Sequence, residues 1–363
     1  MLRLVPGTPD AVLPALAAVL DGTGTPFAPV PADPASAERV KLAVAPDEPV
    51  DDDCAVILTT SGTSGEPKGV MLSREALVAS ATATHERLGG PGQWLLPMQP
   101  YFVGGLQVLT RSLLAGYAPV IAWEYPSLAA GAAAMTGSRR YTAMVPTQLA
   151  RYLDNELDAL RSFDAIVIGG APMSVSLKER VRAAGVAAIP AYGMTETGSG
   201  CFYAGEPLAG TAARLEGERI LISGPTLFSG YRLRPELTAE VLRDGWFWTQ
   251  DRGRLVDDRL QVIGRLDDVV ISGGVNVTLT AVQARLLEHS SVQDAVVLGV
   301  PDAEWGSRVV AFVVGDVGLE ELRDFVAEVL PRTWAPRDVV PLGALPMLAS
   351  GKVDRQALLE GVR

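Results

Sequence analysis

The stretch AVILTTSGTSGEPKGVML, residues 55–72, moves from an apolar run into ten residues rich in hydroxyls and glycine, carries one lysine, and turns apolar again. Ala55 to Leu58 is short, apolar and β-branched, which reads as a buried strand with polar residues at its end. Ligands in open α/β sheets gather at such ends. Gly62, Gly65 and Gly69 let the backbone turn with its N–H groups inward, Thr60, Ser61, Thr63 and Ser64 add hydroxyls, and Lys68 adds a positive charge. Together they read as a phosphate cradle. The bland alternative is a solvated Ser/Gly turn. The spacing is not that of a Walker A loop, because Lys68 follows Pro67 and is followed by Gly69 instead of Ser or Thr.

With 363 residues, 48% apolar and 20% charged, the chain has enough material for about two domains. A net charge of -11 argues against a nucleic-acid or anionic-membrane surface, so any anionic ligand must be held by a few focused cations. Only Cys54 and Cys201 occur, far apart and each beside apolar residues, which points to buried thiols in a reducing cytoplasm and to no zinc site. Ala11 to Leu20 is apolar, but Asp10 and two prolines precede it, so a helix on the core is expected in place of a signal peptide. No stretch reaches membrane-spanning length.

Three further segments carry chemistry. AIVIGGAP (165–172) reads as a buried strand ending in Gly169 and Gly170, where a flat ring could lie against bare backbone. IPAYGMTETGSG (189–200) offers Tyr192 for stacking, Thr195 as a donor and Glu196 as a carboxylate able to hold magnesium. GWFWTQDRGRL (245–255) reads as an aromatic-rich turn ending at Asp251, an acceptor pair suited to the two hydroxyls of a ribose. Taken singly, each is equally a strand-to-loop transition. Lysine is scarce: Lys41, Lys68, Lys178 and Lys352 are all there are, and Lys68 and Lys352 sit beside glycine in expected loops. His85 and His289 fall in or near expected helices away from any nucleophile-like loop, which favours packing or surface roles.

These segments, in this order, resemble the acyl-adenylate-forming superfamily of acyl-CoA synthetases, luciferases and peptide-synthetase adenylation domains. The resemblance rests on Thr60 to Gly69, YGMTE at 192–196, Asp251, GRLDD at 264–268 and GK at 351–352, and it spans nearly the whole chain. Within the superfamily the chain is most similar to the short actinobacterial form of o-succinylbenzoate:CoA ligase, an enzyme of menaquinone synthesis, through RLGGPGQWLL (87–96), LTRSLLAG (109–116) and YGMTETGSGCFYAGEPLAG (192–210). The resemblance implies that Thr60, Ser61, Gly62, Thr63, Ser64, Gly65 and Lys68 hold ATP phosphates. It puts Gly169, Gly170 and Ala171 with Tyr192 around adenine, Asp251 on ribose, and Gly193, Met194 and Arg265 on the nucleotide. Thr195 would touch the α-phosphate, Glu196 the magnesium ion, Tyr101 and Phe102 the acid, and Gly273 and Gly274 coenzyme A.

Lys352 would bridge carboxylate and phosphate, a role with a physical reason: two anions must approach each other, and a desolvated cation between them offsets their repulsion. The implied fold is α/β, a large multi-sheet domain over 1–265 and a small mobile α+β domain over 266–363, with a hinge near Asp267. The tail supports it independently: DDVVISGG, QDAVVLGV and SRVVAFVVG are strand-like, and TAVQARLLEH and LEELRDFVAEVL have helical apolar spacing. Two departures stand out. Phe102 occupies a position where the subfamily usually has histidine, keeping bulk and losing a hydrogen bond, and ISGGVNVTLT ends in threonine where proline is common.

The expected activity is therefore AMP-forming ligation of an acid, foremost o-succinylbenzoate, to coenzyme A, with small molecules as partners, no nucleic acid or membrane insertion, and self-association left open. Other readings are a different aryl or acyl acid:CoA ligase, a stand-alone enzyme loading a carrier protein, and a catalytically silent adenylate-binding protein. Arg111 is a candidate partner for a remote carboxylate, with a helix-surface role as its alternative.

Overall fold

In the computed structural model, residues 1–61, 67–266, 268–348 and 353–362 are described. The expected Ser61, Gly62, Thr63, Ser64 and Gly65 side chains, the hinge residue Asp267 and Lys352 lie outside what is described.

Four sheets organise the chain. Short runs such as Gln93–Leu96, apolar after its first residue, and the wholly apolar Ala165–Ile168 are buried on both faces, as parallel strands covered by helices must be. They stand with Val120–Ile121, Arg140–Met144 and Ala188–Met194 in the parallel part of a seven-stranded sheet, which Ser199–Tyr203 and Glu206–Pro207 extend in antiparallel fashion. A five-stranded sheet pairs Arg3–Pro6, Phe27–Val30, Cys54–Ser61, Pro67–Ser73 and Gly230–Tyr231 in that order. A third, antiparallel sheet joins residues from Ala212 to Arg265, and a fourth is built entirely from residues after Asp267. The fourth has its own apolar core around Val277, Val282, Leu286, Val297, Val309 and Ala311, as its strand and helix patterns led one to expect.

The helices begin where the sequence provides caps. Asp33, Ser73 and Ser174 accept backbone N–H bonds from Ser36, Ala76 and Leu177, and proline opens Pro9–Leu20, Pro34–Val44 and Pro146–Asn155. Pro9–Leu20 is the core-packed helix expected near the start, with Val12, Leu16 and Val19 buried. No described helix is long and apolar enough to cross a membrane.

Three expectations about local structure need correcting. The strand Cys54–Ser61 runs through the first hydroxyl residues and pairs antiparallel with Pro67–Ser73, with Thr60 opposite Lys68. Lys68 is therefore on a strand and not in a loop. Gly69 is not a turning residue: a Cβ there would lie 2.9 Å from the Arg232 side chain and 3.0 Å from the Ala43 carbonyl, so close packing explains it. Asp251 stands inside the eleven-residue strand Trp246–Val256, opposite Arg265, and not at a turn. The alternation from Trp246 onward, with Phe247, Thr249, Asp251 and Gly253 buried and the residues between them more exposed, is the period-2 signal that the aromatic content obscured.

His85 is a packing residue. It ends the helix Arg74–Arg87, and its Nε2 accepts the Trp94 indole N–H at 3.2 Å. Burial, helped by the Arg111 charge, lowers its pKa to about 4. A folded pKa below the unfolded value near 6.5 means that its contribution to stability is complete above pH 6.5 and is lost as pH falls toward 4, a change of about 3 kcal/mol. In His85→Gln, which can still accept from Trp94, the loss of stability between pH 6.5 and 4 should be smaller by about that amount. Denaturant unfolding of both proteins across this range measures it, and parallel curves would contradict the assignment.

Candidate functional site

The site assembles where three sheets meet. Strand Ala188–Met194 ends in the tight turn Thr195–Thr197, which the buried Thr197 hydroxyl locks by accepting from Met194 N–H at 2.9 Å and lying within hydrogen-bonding distance of the Met194 and Ser199 carbonyls. Gly193 is required here, because a Cβ would sit 2.0 Å from the Ser199 carbonyl oxygen on the paired strand. The turn carries Thr195 and Glu196. Glu196 accepts a hydrogen bond from the Tyr231 hydroxyl at 2.9 Å, and Lys68 Nζ lies 5.3 Å from the centre of the Tyr231 ring. Burial raises the Glu196 pKa, while the Tyr231 hydrogen bond and then the Lys68 and Arg265 charges act against it.

A second carboxylate stands beside the first group. Asp251 is almost fully buried, accepts the Tyr192 hydroxyl at 2.7 Å, and faces Arg265 at 3.5 Å. Tyr192 is thus oriented by its hydroxyl, and its own pKa is pushed well up by burial and then by the Asp251 charge. Gly169, at the end of Ala165–Ile168, is next to this strand: a Cβ on it would approach only the Ala191 carbonyl, at 3.8 Å. Gly170 follows with φ of 84°, and Ala171 is exposed. The arrangement leaves an open edge of bare backbone beside Tyr192.

The structure therefore brings Lys68, Tyr192, Gly193, Met194, Thr195, Glu196, Asp251 and Arg265 together with the 169–171 edge. Tyr101 and Phe102 stand apart from this group in the chain, with ring centres 4.6 Å apart, at the start of helix Val103–Ala115. Gly273 and Gly274, with φ of 58° and 80°, form the two-residue turn between Val269–Ser272 and Val275–Thr278. Gly273 is packed against Trp305, where a Cβ would lie 2.7 Å from the ring, while space beside Gly274 is open. A cavity of about 550 Å³ lies away from the carboxylates, lined by Met98, Gln99, Trp123 and Arg151 on one side and by Leu345 and Met347 on the other.

Sequence reasoning missed Tyr231. Its signal, a Gly-Tyr pair before Arg232, says nothing of the pairing of Tyr231 with Val70 that aims the phenol at Glu196. It also left Arg111 with a surface alternative, which the structure removes: Arg111 is 1% exposed, its guanidinium lies 4.9 Å from the centre of the Trp94 ring, and its Nε and Nη2 have no hydrogen-bond partner. Cys54 and Cys201 are buried free thiols, each pushed up to about 12 chiefly by burial, and so are poor nucleophiles.

Chemically, the cluster presents two cations, two carboxylates of unlike environment and a bare backbone edge. Among the described residues no group of three or more His, Cys, Asp or Glu could hold a metal alone. Glu196 is a single carboxylate, which suits a magnesium ion that takes its other ligands from phosphates and water.

A family model for "AMP-binding enzyme" matches residues 6–232, and one for "AMP-binding enzyme C-terminal domain" matches residues 281–352. The chain belongs to the AMP-binding enzyme family. Among AMP-binding relatives, a "Probable 2-succinylbenzoate--CoA ligase" of Mycobacterium tuberculosis is 43% identical, covering 96% of this chain and 94% of the relative. The o-succinylbenzoate CoA synthetase of Bacillus subtilis, solved with its acyl-adenylate intermediate, superimposes with a TM-score of 0.75 at 26% identity over 98% of this chain and 82% of that one. The same Bacillus subtilis synthetase solved with ATP and magnesium gives 0.73 at 26% identity over 95% and 82%. The α/β architecture with a small C-terminal domain is that of these structures.

The Tyr231 hydrogen bond is the part of this geometry most directly testable. Tyr231→Phe should raise the Glu196 pKa further, since it removes a bond to the charged form and leaves the burial in place. Carboxyl-carbon NMR titration of Glu-labelled protein reads the shift, and an unchanged Glu196 titration would show that the bond does not form.

Proposed function

We propose that this chain is an AMP-forming acid:thiol ligase that joins 2-succinylbenzoate to coenzyme A through an acyl-adenylate, in menaquinone biosynthesis in the cytoplasm. The observation that carries the reading is the 43% identity over nearly the full length of both chains to a protein named for that reaction. The clustered nucleotide-type residues give it a physical basis. In the first half-reaction a carboxylate oxygen of the acid attacks the α-phosphorus of ATP, and the bond to pyrophosphate breaks. In the second, the coenzyme A thiol attacks the acyl carbonyl, and AMP leaves.

Each residue is proposed in the role its surroundings suit. Lys68 with Thr60, Ser61, Thr63 and Ser64 holds phosphates, and Thr195 donates to the α-phosphate. Glu196 holds magnesium, which when bound neutralises phosphate charge. Asp251 takes the ribose hydroxyls, already fixed by Tyr192 and Arg265. Adenine lies along Gly169, Gly170 and Ala171 beside Tyr192, with Gly193 and Met194 on the nucleotide. Lys352 screens the approach of the two anions, Tyr101 and Phe102 contact the acid, and Gly273 and Gly274 face coenzyme A. The chain divides at 265/266, between the strand Arg259–Arg265 and the separate C-terminal sheet, and turns near Asp267.

Arg111 is proposed as the partner of the acid's second carboxylate. A buried cation with two unpartnered nitrogens is costly until an anion reaches it. A dicarboxylate offers one, whereas benzoate and simple fatty acids do not.

Pyrophosphate release across a panel of acids tests the function. The acid 2-succinylbenzoate should give the highest kcat/KM, and a clear win for benzoate or a fatty acid would reject the assignment. Asp251→Ala should weaken ATP binding by about tenfold or more, because each charge-assisted hydrogen bond to ribose is worth roughly 1.5–3 kcal/mol. Calorimetry measures this, and unaltered affinity would remove Asp251 from the nucleotide site.

A further inference from the structure

The described residues on the two sides of 349–352 are tied to each other. Met347 and Val353 form an antiparallel bridge, and the Asp354 N–H donates to the Pro346 carbonyl at 2.8 Å. Asp354 then caps the helix Arg355–Glu360 by accepting from the Gln356 and Ala357 N–H groups, and Leu358 seats that helix in the core with Val296, Leu298 and Phe312. Arg355, the first residue of the helix, reaches across 87 positions of sequence to Asp268, with Nη1 3.0 Å from Oδ1.

Asp268 is unusual for a carboxylate. It is 6% exposed, its other oxygen Oδ2 is buried with no hydrogen-bond partner, and its backbone carbonyl accepts the Leu279 N–H at 2.9 Å. Its ion pair with Arg355 is thus the bond that offsets the burial of the carboxylate, and removing the half-exposed Arg355 leaves that carboxylate uncompensated. The pair joins the residue directly after the proposed hinge position to the residue directly after the Val353–Asp354 base.

We infer that the Asp268–Arg355 ion pair is a positioning strap for the ligase reaction: it makes the base of the 349–352 segment turn with the first residue beyond the hinge as one piece. This rests on the proposed role of Lys352. Rotation at the hinge then delivers that base to a fixed place instead of leaving it to swing on its own tether. Precision matters for the adenylating step, in which a cation must be held between two anions, since a misplacement of about 1 Å can cost roughly 100-fold in rate. Transfer to coenzyme A needs no such cation at the phosphate. Arg252 supplies a separate contact, from Nη1 to the Thr278 hydroxyl at 3.2 Å, which touches the C-terminal sheet but not the strap.

Single-turnover rates of the two half-reactions test the strap: acyl-adenylate formation from 2-succinylbenzoate and ATP, and thioester formation from supplied acyl-adenylate and coenzyme A. Arg355→Ala should slow the first by roughly 10- to 100-fold and leave the second within about threefold of wild type. Arg355→Lys should recover part of the first rate, because the charge returns without the planar fork. Asp268→Asn, nearly the same shape, should reproduce Arg355→Ala and guards against a folding artefact. Equal loss in both halves, or no loss in the first, overturns the strap. Lys352→Ala separates it from the reading beneath it: if Lys352→Ala abolishes the first half-reaction and Arg355→Ala spares it, only the strap fails. If Lys352→Ala spares the first half-reaction, the lysine role falls and the strap, which rests on it, falls with it, even where Arg355→Ala slows that step.

Discussion

The hydrogen bond from Tyr231 to Glu196 is the contact on which the geometry of the site turns. Tyr231 lies on a two-residue strand paired to the strand that carries Lys68, while Glu196 lies on a turn at the end of the seven-stranded sheet. One phenol therefore ties the lysine of one sheet to the carboxylate of another, with its ring 5.3 Å from the ammonium and its hydroxyl on the acid. The carboxylate is desolvated, which favours its neutral form, yet the phenol and the two nearby cations favour the anion. A carboxylate in this balance suits the role proposed for it, holding a cation that arrives with its own anionic ligands. The neighbouring Asp251 is treated differently: it already has a hydroxyl donor and a guanidinium, so it is available as an acceptor and not as a metal ligand.

How much of this was legible depended on whether a residue's role follows from its neighbours in sequence. The apolar runs at 55–58 and 165–168 became strands because four consecutive apolar residues must be covered on both faces. The glycine at 193 and the carboxylate at 196 could be picked out because they lie in one short segment whose composition is unusual throughout. Asp251 was found for its residue type but misplaced in structure, because a strand with three aromatic residues and one glycine mimics a turn-rich segment. Lys68 was expected in a loop because its neighbours are Pro67 and Gly69, yet Gly69 is small for the sake of Arg232 and Ala43, which are remote in sequence. Tyr231 could not be read at all, since its meaning comes from a strand pairing made across 160 residues.

Family membership narrows the chemistry but does not choose the acid, because one fold can activate many carboxylates. Under the proposed function, what distinguishes this chain on the acid side is Phe102 in a position where the resemblance implies histidine, together with the Arg111 environment. Phe102 starts the helix that carries Arg111, and its side chain makes no cap bond to that helix. Whatever recognition a histidine would provide through a hydrogen bond is therefore not available there, and polar discrimination must come from further along the same helix. Arg111 is the group so placed, on the face of Trp94 whose indole N–H is in turn engaged by His85. The neutral imidazole matters, because a second positive charge beside a buried guanidinium would raise the cost of both.

The contrast between two buried arginines shows why this assignment is physical and not only a matter of resemblance. Arg232 is 5% exposed and gives its guanidinium to the carbonyls of Val44, Ala45, Glu48 and Pro49, closing the end of helix Pro34–Val44. Its donors are used, so nothing further needs to reach it, and its role is to hold the chain in place. Arg111 is buried more deeply, yet two of its nitrogens have no hydrogen-bond partner. Leaving donors of a charged group unmade in the interior costs free energy that a purely structural arginine would avoid, as Arg232 does. In a chain with net charge -11, carboxylates to pair with it would have been easy to supply. No such partner stands among the described residues, and under the proposed function the pairing is left to a carboxylate of the acid.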